Sequence, residues 1–300
     1  MRQSTTLTIR PPRDFSFSRT VLSHGWYALP PFRYDAATGL LSGTTALDRT
    51  TVPWELFEAG PLLRLRIPHT VPPPVRLRLK TVVRSCLRLD EDFAEFHAAM
   101  RQLPACRWIA RSRSGRLLRA PTVWEDALKL LLTTNCSWAL TDAMVGRVMR
   151  TFSADGAFPS PEAIARSNER VLRTRCALGY RAPFVLEFAR RVAGGSLEIE
   201  SWRTAGEETD ALYAAIRAVR GFGPYAAGNL LKLLGRYDYL GLDSWVRARY
   251  AALHAGGRAV SDRTIERRYS AFGRWRGLVF WLEMTRHWHD EKFRRSIRGD

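Results

Sequence analysis

The sequence predicts an α+β chain: a small N-terminal antiparallel β-sheet domain over residues 1–100, followed by a mainly α-helical body over residues 101–300. Three observations carry this prediction. The apolar pattern is alternating or β-branched in short runs up to about Thr81 and has helical spacing after it. Pro30–Pro31 and Pro72–Pro73–Pro74 punctuate the first part, as turns between strands do. The chain is 46% hydrophobic and 25% charged, which is enough apolar material for a packed core and too much for disorder.

In order, Thr6–Arg10, Phe15–Ser18, Leu63–Ile67 and Val75–Lys80 read as strands, in a sheet of about five. From there the spacing predicts amphipathic helices over Thr81–Leu89, Asp92–Gln102, Pro121–Thr133, Ala139–Phe152, Pro161–Ser167 and Ala182–Ala193. It continues with Glu207–Val219, Tyr225–Gly235, Asp243–Leu253, Ser261–Ser270 and Phe272–Trp288. Pro121 and Pro161 fit first helical positions, where the missing N–H costs nothing.

A formal charge of +18 over 300 residues calls for a polyanionic partner, nucleic acid before any other. Only four of the 47 basic residues are lysines, so a compositional bias toward arginine contributes, but it does not explain the shortage of acids. Met1–Thr20 has no apolar run ending at a cleavage site, and no apolar stretch reaches the length of a membrane span. Cys86, Cys106, Cys136 and Cys176 are widely spaced, which argues against a disulfide framework or a zinc site and for a reducing cytoplasm. His287 and His289 fall on different faces of a helix with no third ligand nearby, so no metal is expected.

The segment Arg220–Gly221–Phe222–Gly223–Pro224–Tyr225 lies between two helical patterns. Gly221 and Gly223 allow a hairpin too tight for side chains and uncover the N–H groups that open the next helix, a cradle for one phosphate. Twenty residues after Gly223, Asp243 precedes a helical run. There it could be a plain N-cap worth about 1 kcal/mol. It could equally face the sugar of the held nucleotide and stabilise the cation that forms as a glycosidic bond breaks.

The hairpin followed by this aspartate resembles the helix–hairpin–helix DNA glycosylase superfamily. Further segments carry the same likeness in the same order from about Gly115 to Trp288. Arg116–Leu117–Leu118–Arg119 with Leu131–Leu132–Thr133–Thr134–Asn135, and Ala177–Leu178–Gly179–Tyr180–Arg181–Ala182, are similar to stretches of 8-oxoguanine DNA glycosylases. Phe272–Gly273–Arg274–Trp275–Arg276–Gly277 is closer to 3-methyladenine DNA glycosylase II. The resemblance implies Asp243 as the catalytic carboxylate. Gly221, Gly223 and Tyr225 would then bind the DNA backbone, with Asn135 and Tyr180 filling the gap left by a flipped base and Arg181 contacting the orphaned partner base.

The superfamily's strand-cleaving members have a lysine where this chain has Tyr225, and a phenol forms no Schiff base. Lys232, two helical turns further on, is not expected to replace it. The implied reaction is hydrolysis of the N-glycosidic bond alone. No cofactor is expected, although the hairpin could hold a monovalent cation. Trp124, Trp138, Phe222, Tyr225, Trp275 and Trp281 are the candidate aromatics, and Trp138, Phe222, Trp275 and Trp281 are assigned to the base pocket. Stacked rings favour electron-poor alkylated purines. An 8-oxoguanine-type enzyme and a non-catalytic binder or damage sensor are the alternatives. The expected partner is double-stranded DNA with a damaged base, met by a monomer on a bacterial nucleoid and not at a membrane.

The charge generates a direct prediction. Duplex affinity should fall by about 10³-fold or more between about 50 and 200 mM salt, because bound phosphates release counterions. Affinity that is flat across a salt titration contradicts the nucleic-acid reading.

Overall fold

In the computed structural model, residues 4–48, 50–204 and 206–298 are described, with residues 289–298 described by their backbone alone. The side chain of His289 therefore lies outside the described residues. Strands β1 (Thr5–Ile9), β2 (Arg33–Asp35), β3 (Leu40–Leu47), β4 (Thr50–Ala59) and β5 (Leu62–Ile67) form one antiparallel sheet in the order β1-β5-β4-β3-β2. Alternation selects the inner face: Leu41 and Leu47, then Val52, Trp54 and Leu56, then Leu63, Leu65 and Ile67 are buried.

The helices are α1 (Phe17–Val21), α2 (Pro73–Cys86), α3 (Ala94–Gln102), α4 (Arg107–Arg111), α5 (Val123–Thr133), α6 (Trp138–Phe152) and α7 (Pro161–Ala165). They continue as α8 (Glu169–Thr174), α9 (Ala182–Ala193), α10 (Thr209–Arg217), α11 (Pro224–Leu234), α12 (Ser244–His254), α13 (Asp262–Tyr269) and α14 (Arg276–Arg298). Among the described residues no helix is long and apolar enough to cross a membrane. Thr122, Ser137, Ser160, Asn168, Asp243 and Ser261 each cap the helix that follows with a side-chain oxygen. Helix α11 is apolar nearly all round and is the buried centre of the body, packed on α5 and α10.

Two predicted strands are helical. Val75–Lys80 alternates as Val-Arg-Leu-Arg-Leu-Lys, yet it is the first half of α2. Pro73 and Pro74 fix the first turn, and Leu79, Val83 and Cys86 bury one face at helical spacing while Leu77 is left exposed. Phe15–Ser18 runs into α1, with the Ser16 side chain capping it. Strands β2, β3 and β4 stand where no strand boundaries are legible in the sequence.

The sheet half and the helical half share one continuous core. Their junction is polar at its centre. Asp126 Oδ1, buried in the first turn of α5, accepts from Trp26 Nε1 at 2.7 Å and from the Ala120 backbone N–H at 2.8 Å. Arg203 lies 3.6 Å away. One turn on, buried Lys129 pairs with Glu125 at 2.6 Å, near the rings of Trp26 and Phe32. Burial raises the carboxyl pKa of both Asp126 and Glu125 against the pull of these cations. Ser23 Oγ accepts from Leu118 N, and His24 Nε2 donates to the Leu118 carbonyl. These bonds fix the 3₁₀ turn Gly25–Ala28 against the helical body.

Asp126→Ala should therefore cost about 3 kcal/mol, since it leaves the buried Trp26 and Ala120 donors without their acceptor and removes the carboxylate beside Arg203. Chemical denaturation measures it, and a loss below about 1 kcal/mol means the bonds to Asp126 do not hold the junction.

Candidate active site

Residues from both halves surround one cavity of about 640 Å³. Its walls include His24, Trp26 and Tyr27 from the N-terminal turn, and Thr133 at the end of α5, Cys136 from the connection and Trp138 at the start of α6. Tyr225, Asn229 and Lys232 of α11 face it, as do Asp243, Trp245, Trp281 and Trp288. Positions 225, 229 and 232 are spaced i, i+4 and i+7, so one face of α11 forms this wall.

The hairpin folds as its glycines require. Gly221 has φ +96°, and a Cβ there would lie 2.7 Å from Leu131 Cδ1. Gly223 is an N-cap with no side-chain bond, Pro224 is the first residue of α11, and the helix opens at the protein surface. From the far end of α11 the chain returns along it. A Cβ on Gly228 would come within 2.9 Å of Gly241 Cα, so glycine at these positions lets the returning loop lie directly on the helix. Asn229 Nδ2 donates to the Gly241 carbonyl at 3.3 Å, and Lys232 Nζ donates to the Leu240 carbonyl at 2.6 Å. This brings Asp243 to the cavity beside Tyr225.

Asp243 does cap α12, with Oδ1 accepting from Val246 N at 2.8 Å. Among the described residues no hydrogen bond is made to Oδ2. The N-cap bond therefore fixes the carboxylate's orientation and leaves its second oxygen for the cavity. Burial pushes the Tyr225 phenol up to about 12, so it stays neutral beside Asp243. Burial also pulls the Lys232 ammonium down to about 7, against the attraction of Asp243.

Of the four aromatics assigned to the pocket, two are there. Trp138 is 46% exposed, with its indole lying over Gly25, and Trp281 lines the wall while its Nε1 donates to Ser23 O at 3.1 Å. Phe222 is instead core, edge-on to Phe188 at 5.4 Å, because the residue between the two glycines turns inward. Trp275 also leaves the pocket; it packs against Phe96 at 5.0 Å and Tyr237 at 5.5 Å. Trp124 packs in the core 5.0 Å from Phe188.

Asn135 and Tyr180 are exposed neighbours on the rim next to Cys136, with Asn135 Nδ2 donating to the Tyr180 hydroxyl at 3.3 Å. Asn135 follows the end of α5 at φ +47°. Arg181 requires a correction. It is 4% exposed and its guanidinium donates to the Thr134 and Asn135 carbonyls and lies 4.5 Å from the Tyr180 ring, so it braces the rim and does not reach out to a base. Sequence reasoning missed His24, Tyr27, Trp245 and Trp288, and it set Lys232 aside. The helical phase of Tyr225, Asn229 and Lys232 was a signal that could have found the last.

No protein-family profile matches the chain. A curated relative, a probable N-glycosylase/DNA lyase of Methanothermobacter thermautotrophicus, is 25% identical over 284 residues, spanning 85% of this chain and 87% of its own. Among solved structures, the 3-methyladenine DNA glycosylase of Archaeoglobus fulgidus superposes with a TM-score of 0.75 at 18% identity, covering 93% of this chain and 97% of that one. The 8-oxoguanine glycosylase/lyase of Clostridium acetobutylicum, bound to duplex DNA with cytosine opposite 8-oxoguanine, gives 0.72 at 16% identity, covering 96% and 98%.

Proposed function

We propose that this chain, which has the fold of the helix–hairpin–helix DNA glycosylases, excises a damaged purine from duplex DNA by hydrolysing its N-glycosidic bond. One observation carries the reading: Asp243 stands at an aromatic-walled cavity, at the end of the loop that returns from the phosphate-gripping hairpin. The N-terminus of α11 holds a backbone phosphate, and the nucleotide next to it swings into the cavity. Extrusion costs a few kcal/mol, which Asn135 and Tyr180 offset by occupying the vacated stack. The Asp243 carboxylate then stabilises the cationic sugar as the base leaves, and water completes the exchange.

The indoles of Trp138, Trp245, Trp281 and Trp288 favour an electron-poor base, which supports an alkylated purine as substrate. Such a base leaves readily, so a carboxylate without a strong acid beside it suffices. Tyr225 supports hydrolysis without strand cleavage, since it occupies the hairpin position where a nucleophilic amine would stand. A second reading, base removal with strand cleavage, draws on Lys232, whose amine shares the cavity with Asp243. Its Nζ is engaged by Leu240 O and by Asn229 Oδ1 at 3.1 Å, which favours a fixed polar role over attack on the sugar.

Asp243→Asn should lower single-turnover base release by about 100-fold or more, with duplex affinity retained. Undiminished release on every lesion tested means Asp243 is only a helix cap. Borohydride added during turnover should trap no covalent adduct. An adduct that disappears in Lys232→Met replaces the hydrolytic reading with the second one.

A further inference from the structure

Lys232 is 2% exposed in the last turn of the largely buried α11, yet it lines the cavity together with Asp243. Two of its hydrogens are held by Leu240 O and Asn229 Oδ1. Among the described residues no third acceptor is present, so the extra hydrogen of the ammonium has only the cavity and whatever fills it. The neutral amine keeps both bonds. Protonation at Lys232 therefore changes the charge of the cavity without loosening the loop that carries Asp243.

Other groups face it from the neighbouring elements. Tyr225, on the same helix face, stays a neutral phenol. Cys136, from the α5–α6 connection, donates to Leu132 O at 3.3 Å, and His24, from the N-terminal turn, is bonded to Leu118 O. Arg88 approaches from outside the cavity and donates to the Lys232 backbone carbonyl at 2.9 Å. Asp243 supplies the only opposing charge facing Lys232 among the described groups.

We propose that Lys232 is a specificity-determining residue: its ammonium form turns away purines that carry a positive charge, and its neutral form admits them. This rests on the glycosylase reading above and adds to it the charge of the base. A cationic ring in a closed, low-dielectric cavity meets the ammonium directly, whereas a neutral ring does not. The cavity alternates between the two charges near neutral pH, because burial has brought Lys232 to about 7. Compensation of Asp243 by the ammonium slows sugar-cation formation for every base alike. The charge of the base is thus read in the ratio between two substrates and not in either rate alone.

The test measures single-turnover release of 3-methyladenine, a cation, and of hypoxanthine, neutral, from duplex DNA between about pH 6 and about pH 8. In the wild-type protein the ratio of 3-methyladenine to hypoxanthine release should rise on the order of tenfold across this range, and in Lys232→Met it should be flat. A purely structural role for Lys232 would shift both rates and leave the ratio independent of pH in either protein. A wild-type ratio that does not change with pH overturns the inference and leaves the glycosylase reading standing, and so does a rise that persists in Lys232→Met. Release of neither base overturns both. Should Lys232→Met fail to fold, Lys232→Gln takes its place with the same flat ratio expected, and a rise that persists in it overturns the inference.

Discussion

Everything at the site depends on how closely the loop 235–243 can lie on α11. Gly228 and Gly241 meet backbone to backbone, and a single methyl group on either would have to displace the loop or the Asn229 and Lys232 side chains that hold it. That contact sets where Asp243 emerges. The start of α11 and the carboxylate are thereby fixed to one rigid element, which is what a reaction needing sub-ångström placement requires. Burying Lys232 to hold Leu240 O is costly for a cation in an apolar helix. Its lowered pKa is the visible trace of that cost.

The other half of the cavity comes from far away in the sequence. The 3₁₀ turn of the N-terminal half is tied to the helical body by a polar knot, with Asp126 at its centre and Ser23 and His24 beside it. Buried charge needs exact partners in geometry, so a junction built this way admits one register where an apolar junction would tolerate sliding. The consequence reaches the site, because the same turn that supplies Trp26 to the knot supplies His24 and Tyr27 to the cavity wall. The N-terminal half is therefore part of the site's construction, through this turn.

Much of this was legible before the fold was known. Most helices from α5 onward follow their apolar spacing, although α8 was not foreseen and the run Phe272–Trp288 is broken at Gly273 before α14; the hairpin with Asp243 stands out because glycine, proline and an N-cap residue each have a local physical meaning. The failures share a cause. Val75–Lys80 alternates like a strand, but only the depth of packing at Leu79 and Val83 reveals a helix. Phe222 and Trp275 are aromatic residues near the motif, and nothing local says that they turn toward the core while Trp245 and Trp288 turn toward the cavity. Arg181 looks like a free recognition arginine until the Thr134 and Asn135 carbonyls are seen around it. Side-chain direction and long-range partners are properties of the assembled chain.

The most direct measurement is a crystal structure of the protein on a duplex whose target nucleotide carries a pyrrolidine ring in place of the sugar, since the ring's protonated nitrogen mimics the cation formed at base loss. The ring should be swung out of the helix, with its nitrogen within about 4 Å of the Asp243 carboxylate, Asn135 and Tyr180 in the vacated stack, and a phosphate on the first turn of α11. A nucleotide that remains stacked, or a ring nitrogen paired with another group while Asp243 only caps its helix, would contradict the assignment of the site.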